Sequence, residues 1–263
     1  MKKTLIALAA VAATSASFAQ STVTLSGTVD VGIEKRFSGD ATRMTPNRNG
    51  TSNWTLSGAE DLGGGLKAVF QVSTSFNSDT GTVSSTDGLG NNGMFVGLTG
   101  GFGTLRAGRP VNTLYGNVLL ANGTKGVSLH DSNSVVSGNA LANAKTSGAS
   151  NSVYVPNAVQ YHSPRFAGFQ VQVEYAPSEL ANADDGFGLG IRYDNGPLSA
   201  SLVSYEGAGT AALLKPKSVT QLGAAYDFSV AKVFFTYRDD SNKASTADTG
   251  YALGVTAPVG PGA

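Results

Sequence analysis

The 263 residues contain two histidines, His130 and His162, and no cysteine. Without thiols there is no disulfide framework, thiolate metal site or cysteine nucleophile. His162 precedes Ser163 directly, the one place where a histidine and a serine adjoin. A serine nucleophile needs its histidine within hydrogen-bond reach. Neighbours on an extended strand point to opposite faces, so this pair is no dyad if 157–163 is a strand. Asp184-Asp185 and Asp239-Asp240 lack the ligand spacing of a calcium loop and read as solvated loop acids. Gly63-Gly64-Gly65 precedes no helical pattern, so it reads as a tight turn rather than a phosphate cradle. No metal, cofactor or catalytic residue is expected from these features. Eighteen Lys+Arg balance eighteen Asp+Glu, and no basic stripe marks a nucleic-acid partner.

The elements that would position any functional side chain follow from periodicity. After residue 20 the sequence alternates with period two, the pattern of half-buried strands. Val23, Leu25, Gly27, Val29, Val31 and Ile33 share one face, and Thr24, Ser26, Thr28, Asp30 and Glu34 the other. The same alternation runs through Leu66–Ser73, Phe169–Tyr175, Leu189–Tyr193 and Tyr251–Thr256. Twelve strands are predicted, over 22–35, 50–60, 65–76, 92–99, 103–109, 157–163, 168–176, 187–194, 197–205, 217–228, 231–239 and 249–258. Ahead of them, Lys2-Lys3, the apolar run Leu5–Ala13 and Ser17-Phe18-Ala19 have the layout of a secretory signal peptide over 1–19.

The connections alternate long and short. Long ones fall at 36–49, 77–91, 110–156, 177–186, 206–216 and 240–248, and short ones at 61–64, 100–102, 164–167, 195–196 and 229–230. All tight turns therefore share one end, which defines an up-and-down antiparallel sheet. Closing it into a barrel removes the exposed edges. Asn195-Gly196 is the strongest hairpin signal, since both residues tolerate the positive φ of a type I′ turn.

Alternation does not say which face is wet. A soluble barrel buries its apolar face inside, whereas a transmembrane barrel turns it outward to lipid. Three features favour the inverted arrangement. The chain exceeds an eight-stranded soluble barrel, its polar face is mostly Ser, Thr, Gln and Gly, and Phe102, Phe166, Phe169, Tyr226 and Phe228 gather beside the short turns. Such a cluster is what an interfacial aromatic girdle looks like. The mean hydropathy of −0.03 is no objection, because alternating faces cancel in the average.

Several ordered blocks closely resemble the general porins of β-proteobacteria, across essentially the whole chain. The most specific is Trp54–Gln71 (WTLSGAEDLGGGLKAVFQ), similar to that family's second hairpin. Phe95–Thr99, Gly101–Thr104 and Gly108-Arg109 match the next hairpin, and Asn157–Phe169 the strand pair after the constriction loop. The resemblance implies an all-β, sixteen-stranded transmembrane barrel over 20–263, of which about twelve strands are present here. It further implies a homotrimer in outer-membrane lipid, no enzymatic activity, and passive diffusion of small hydrophilic solutes and ions. Since strand twelve runs into Pro258–Ala263 rather than a terminal aromatic, four further strands are expected beyond it.

By length and by its place after strand five, 110–156 is the candidate constriction loop, with Asp131 its only acid beside Lys125, His130 and Lys145. On the wall, alternation points Lys67, Arg106 and Arg192 inward, with Arg109 at the start of the loop. Asp30, Glu34 and Glu174 are the inward acids. The family often places arginines where this chain has Asn53 and Asn92, so a weakly selective pore is expected. Two other readings remain: a β-rich adhesin or receptor module, and a twelve-stranded outer-membrane phospholipase. The second lacks a His-x-Ser-Asn-Gly-type block.

Overall fold

The computed structural model describes residues 21–35, 38–39, 41–46, 50–83, 88–121, 153–207, 209–210, 216–242 and 248–257. Residues 1–19, where the signal peptide is expected, and 122–152 of the long connection lie outside them.

Twelve strands form one sheet in which every neighbour in space is a sheet neighbour in sequence. They are β1 (Thr22–Thr28), β4 (Asn53–Gly63), β5 (Leu66–Ser75), β6 (Met94–Gly100), β7 (Gly103–Arg109), β8 (Ala158–His162), β9 (Phe169–Ala176), β11 (Gly186–Asn195), β12 (Leu198–Glu206), β14 (Pro216–Asp227), β15 (Lys232–Asn242) and β16 (Asp248–Thr256). Every pairing is antiparallel. Among the described residues β1 pairs with β4 and β16 with β15, so these two strands are the sheet's edges. Two small two-stranded sheets stand apart, the hairpin of β2 (Val31–Glu34) with β3 (Arg43–Pro46) and the pairing of β10 (Ala183–Asp184) with β13 (Gly209–Thr210).

The predicted first strand, 22–35, is two pieces. The ladder stops at Thr28 because Asp30 offers the backbone better local partners, a competition typical of Asx side chains. Its carboxylate accepts the Gly50 N–H at 2.7 Å, and its own N–H donates to Ser52 Oγ at 2.9 Å. Ser52 Oγ donates back to Asp30 O at 3.1 Å, and the Ser78 hydroxyl donates to the same carbonyl. Ser52 is fully buried by this knot.

The turns repeat the expected geometry with one change. Gly63, Gly64 and Gly65 have φ of 87°, 61° and 80°, a run that only glycine sustains without strain. At the Asn195-Gly196 signal, however, Asn195 pairs with Leu198 and the turn residues are Gly196 and Pro197. Gly196 has φ 57° while Asn195 stays in the ladder. Proline fixes the second turn residue at negative φ, which excludes type I′.

The two faces of the sheet differ in kind. Leu25, Val96, Ile191, Leu202, Leu222 and Leu253 are exposed, Leu25 by 71% and Leu253 by 73%. On the opposite face of the same sheet, Gln160, Glu174, Gln221 and Thr236 are each only 1% exposed. Leaving a leucine or isoleucine in water forgoes about 1.5–3 kcal/mol each, and contiguous apolar surface of this extent marks a face meant for a non-aqueous neighbour. Strand length agrees: β4, β5, β11, β14 and β15 have 11, 10, 10, 12 and 11 residues, against the roughly 9–11 that a tilted strand needs to cross hydrocarbon. No helix among the described residues is long and apolar enough to cross a membrane.

Candidate functional site

The polar face is built in rows by the register. Arg106 on β7 pairs with Gln160 on β8, which pairs with Glu174 on β9, then Gly188 on β11, Tyr205 on β12 and Val219 on β14. One row nearer the short turns come Thr104, His162, Gln172, Gly190, Val203, Gln221 and Arg238.

Against these rows lies an element not foreseen in the sequence, helix α1 (Thr113–Ala121). It opens the 110–156 connection and packs on β9, β11, β12 and β14. Asn112 is its N-cap: Asn112 Oδ1 accepts the Tyr115 N–H, and Asn112 O accepts the Gly116 N–H at 3.0 Å. Such a cap contributes about 1 kcal/mol. Glycines make room for the helix. A Cβ on Gly188 would lie 3.2 Å from Thr113 Cβ, and one on Gly190 would lie 3.0 Å from both Thr113 Cγ2 and Asn117 Nδ2.

Polar contacts complete the seat. Thr113 N–H and Oγ1 donate to Glu174 Oε2 at 2.8 and 3.1 Å. Gln160 Nε2 donates to that same oxygen and, at 2.7 Å, to Val111 O. Asn117 Nδ2 donates to Gln172 Oε1 at 2.8 Å and to Thr113 O at 2.7 Å. Arg106 Nε donates to Gln160 Oε1 at 2.8 Å, its guanidinium lies 5.1 Å from the Phe95 ring centroid, and His162 Nε2 stands 3.4 Å from Nη2.

The returning end of the connection is tied at a second point. Asn112 N–H donates to Val153 O and Val155 N–H to Pro110 O, at 2.9 and 3.0 Å. Tyr154 donates its hydroxyl to Asn92 Oδ1 at 2.8 Å, and Asn92 Nδ2 donates to Ser73 Oγ at 3.0 Å. Burial, with Tyr115 nearby and Arg109 opposing, pushes the Tyr154 phenol up to about 12, so it remains a neutral donor. Asn92, where the family pattern suggested an arginine, thus anchors the loop. Asn53 opens β4 and donates to Thr51 O at 2.7 Å.

The structure places the candidate charges in four groups. Arg106 and Glu174 share the row beneath α1, joined through Gln160. Lys67 and Arg192 lie on the same face near the short turns, Lys67 exposed opposite Asp61 and Arg192 bonded to Asp194, which also pairs with Arg165 at 2.8 Å. Arg109 follows Gly108, whose φ is 140°, and its guanidinium lies 5.9 Å from the Tyr154 ring centroid. Asp30 sits in the knot after β1, and Glu34 on the separate β2–β3 hairpin, paired with Arg43 at 2.5 Å. Asp131 lies outside the described residues. Ser163 is consumed by its turn, donating to Pro164 O and accepting from Val171 N–H, both at 2.9 Å. Asp185 accepts the Tyr175 hydroxyl and the Ser178 N–H, at 2.7 and 3.0 Å.

Sequence reasoning missed Gln160, Asn112, Thr113, Asn117, Gln172, Tyr205 and Arg238 as members of this wall. Period-two parity was available for the four on strands, Gln160, Gln172, Tyr205 and Arg238. The signal for α1 was Asn112 itself, an N-cap residue type directly ahead of the helix.

Comparison with known proteins agrees with this architecture. Residues 5–263 match the family described as Gram-negative porin. The chain is 35% identical over 278 residues to outer membrane porin protein 32 of Delftia acidovorans, covering 99% of this chain and 77% of that one. It is 35% identical over 225 residues to major outer membrane protein P.IB of Neisseria lactamica, covering 81% of this chain and 62% of that one. Among solved structures, an anion-selective porin from Comamonas acidovorans superimposes with TM-score 0.73 at 28% identity, over 92% of this chain and 75% of that one.

Proposed function

Because this chain belongs to the Gram-negative porin family and is an outer-membrane porin, we propose that its polar face lines a water-filled channel for passive diffusion of small hydrophilic solutes and ions. The observation that carries this reading is the inversion of the sheet, with leucines and valines exposed on one face and glutamines, threonines and charges gathered on the other. Lipid takes the first face and water and solutes the second. A secreted adhesin would have no use for that arrangement, and no relative reported above is an enzyme.

In this reading 110–156 is the constriction loop, whose first turns are α1. Lys67, Arg106 and Arg192 supply positive charge along the wall, with Arg109 and Asp131 contributed by the loop and its start, and Glu174 holding the loop. Residues 1–19 are the signal peptide, 20–263 belong to the barrel domain, and the assembly is a homotrimer. The asparagines at 53 and 92 leave the lumen less positive than an arginine-rich wall. Selectivity is therefore weak, set by the sign of charge at the narrowest section.

The test is reconstitution in a planar bilayer under a salt gradient. Stepwise conductance with a small reversal potential is expected, from a species that migrates as an SDS-resistant trimer until heated. Folded, heat-modifiable protein that carries no current would refute the channel. A several-fold anion preference would refute weak selectivity alone.

A further inference from the structure

Glu174 is 1% exposed on a face otherwise suited to water. A carboxylate closed off in this way persists only where donors converge on it. Four do: Thr113 N–H, Thr113 Oγ1, Gln160 Nε2 and the Tyr205 phenol. Two of them belong to the first residue of α1, sixty-one positions away in sequence. The helix carries no acidic residue in its own first turn, so the negative charge that favours a helix N-terminus comes from the wall instead.

We propose that Glu174 is a positioning residue that seats α1, and with it the start of the 110–156 connection, against the inner wall. Gln160 doubles the attachment, since one amide nitrogen reaches both Glu174 and the backbone carbonyl of Val111 just ahead of the helix. Gly188 and Gly190 provide the recess, and the Asn117–Gln172 bond fixes rotation about the axis. Arg106 is drawn to the same point through Gln160, so seating the helix also sets where this cation stands. The consequence for current rests on the reading of 110–156 as a constriction; the seating itself does not.

The absence of cysteine gives a clean reporter. Leu114 is 1% exposed beneath the helix, so Leu114→Cys in the full chain introduces a single protected thiol. Its maleimide labelling should be slow with Glu174 present and about tenfold faster or more in Glu174→Ala, the factor expected when a hydrogen bond to a charged group is lost. Glu174→Gln should restore protection, because the amide oxygen still accepts from Thr113. Heat-modifiable migration, read in parallel, must persist in all variants. Equal labelling in Glu174→Ala and its parent overturns the proposal, as does loss of heat-modifiability in both variants, which would make Glu174 a general fold determinant. Faster labelling with open-channel current and noise unchanged upholds the seat and overturns the constriction reading.

Discussion

Replacing Gly190 with alanine should lift α1 from its recess by a fraction of an ångström. The added Cβ would stand 3.0 Å from Asn117 Nδ2 and from Thr113 Cγ2, and 3.6 Å from Gln172 Cβ. Ordinary carbon contacts lie at about 3.5–4.0 Å, so roughly half an ångström must be found. The sheet is held by ladders on both sides of β11, which leaves the helix to move. Overpacking of this kind costs about 1–3 kcal/mol. The lower end applies to alanine, and leucine should also break the 2.8 Å Asn117–Gln172 bond. At a chain of this size about 1 kcal/mol corresponds to roughly 2–4 °C in the unfolding midpoint. The assay is thermal loss of the β-sheet circular dichroism signal in detergent, alongside single-channel recording. Gly190→Ala should lower the midpoint slightly with near-normal conductance, and Gly190→Leu should lower it further and change both conductance and noise. A leucine variant identical to the parent in both readouts would refute the recess, and with it the placement of α1 on this face.

Further outcomes test the two faces and the loops. Ile191→Lys, on the apolar face, should cost about 2–4 kcal/mol of stability if it lies near the bilayer midplane. Ser26→Lys, exposed on the polar face, should cost far less; equal losses in urea titrations from liposomes would reject the inversion. Arg106→Gln should move the reversal potential toward cations by about a factor of three to four in permeability ratio, the combined effect on cation and anion of one unit charge at about 6 Å, screened by about 0.1 M salt. No shift would mean that solutes do not pass near β7. The Asp185 carboxyl is held below its ordinary value first by the Ser178 N–H and then by the Tyr175 hydroxyl. Its contribution to the 177–185 loop is therefore complete above the ordinary carboxylate value and fades as pH falls through the lowered one. Proteolysis of that loop should accelerate below about pH 4, and Asp185→Asn should remove the pH dependence.

The strands were legible because each alternates over nearly its whole length, and β9 and β11 read the same in sequence and in space. The break after β1 was not, since Asp30 keeps the period and only its bonds to Gly50 and Ser52 reveal the knot. The Gly196 turn was read correctly as a hairpin but as the wrong type, because Pro197 was not weighed as a turn residue. For the site, parity put Arg106 and Glu174 on one face, and the structure has them in one row of the polar face. It could not give depth, so nothing in the sequence distinguishes Lys67, which is exposed, from Glu174, which is sealed by a helix. That helix was hidden because its seat consists of tertiary contacts from β9, β11, β12 and β14, while its own residues include Gly116 and Asn117, both weak helix formers.

Because each strand of the large sheet bonds only to its predecessor and successor, the hairpin is the natural unit by which such a protein changes size. Inserting or excising one two-strand unit alters the circumference by about 10 Å, two inter-strand spacings, and leaves every other register untouched. A single added strand would instead send all later turns to the opposite side of the membrane. Length variation within such a lineage should therefore come in even steps, and the five tight turns are the places where gene segments can be joined with least disturbance to what is already there.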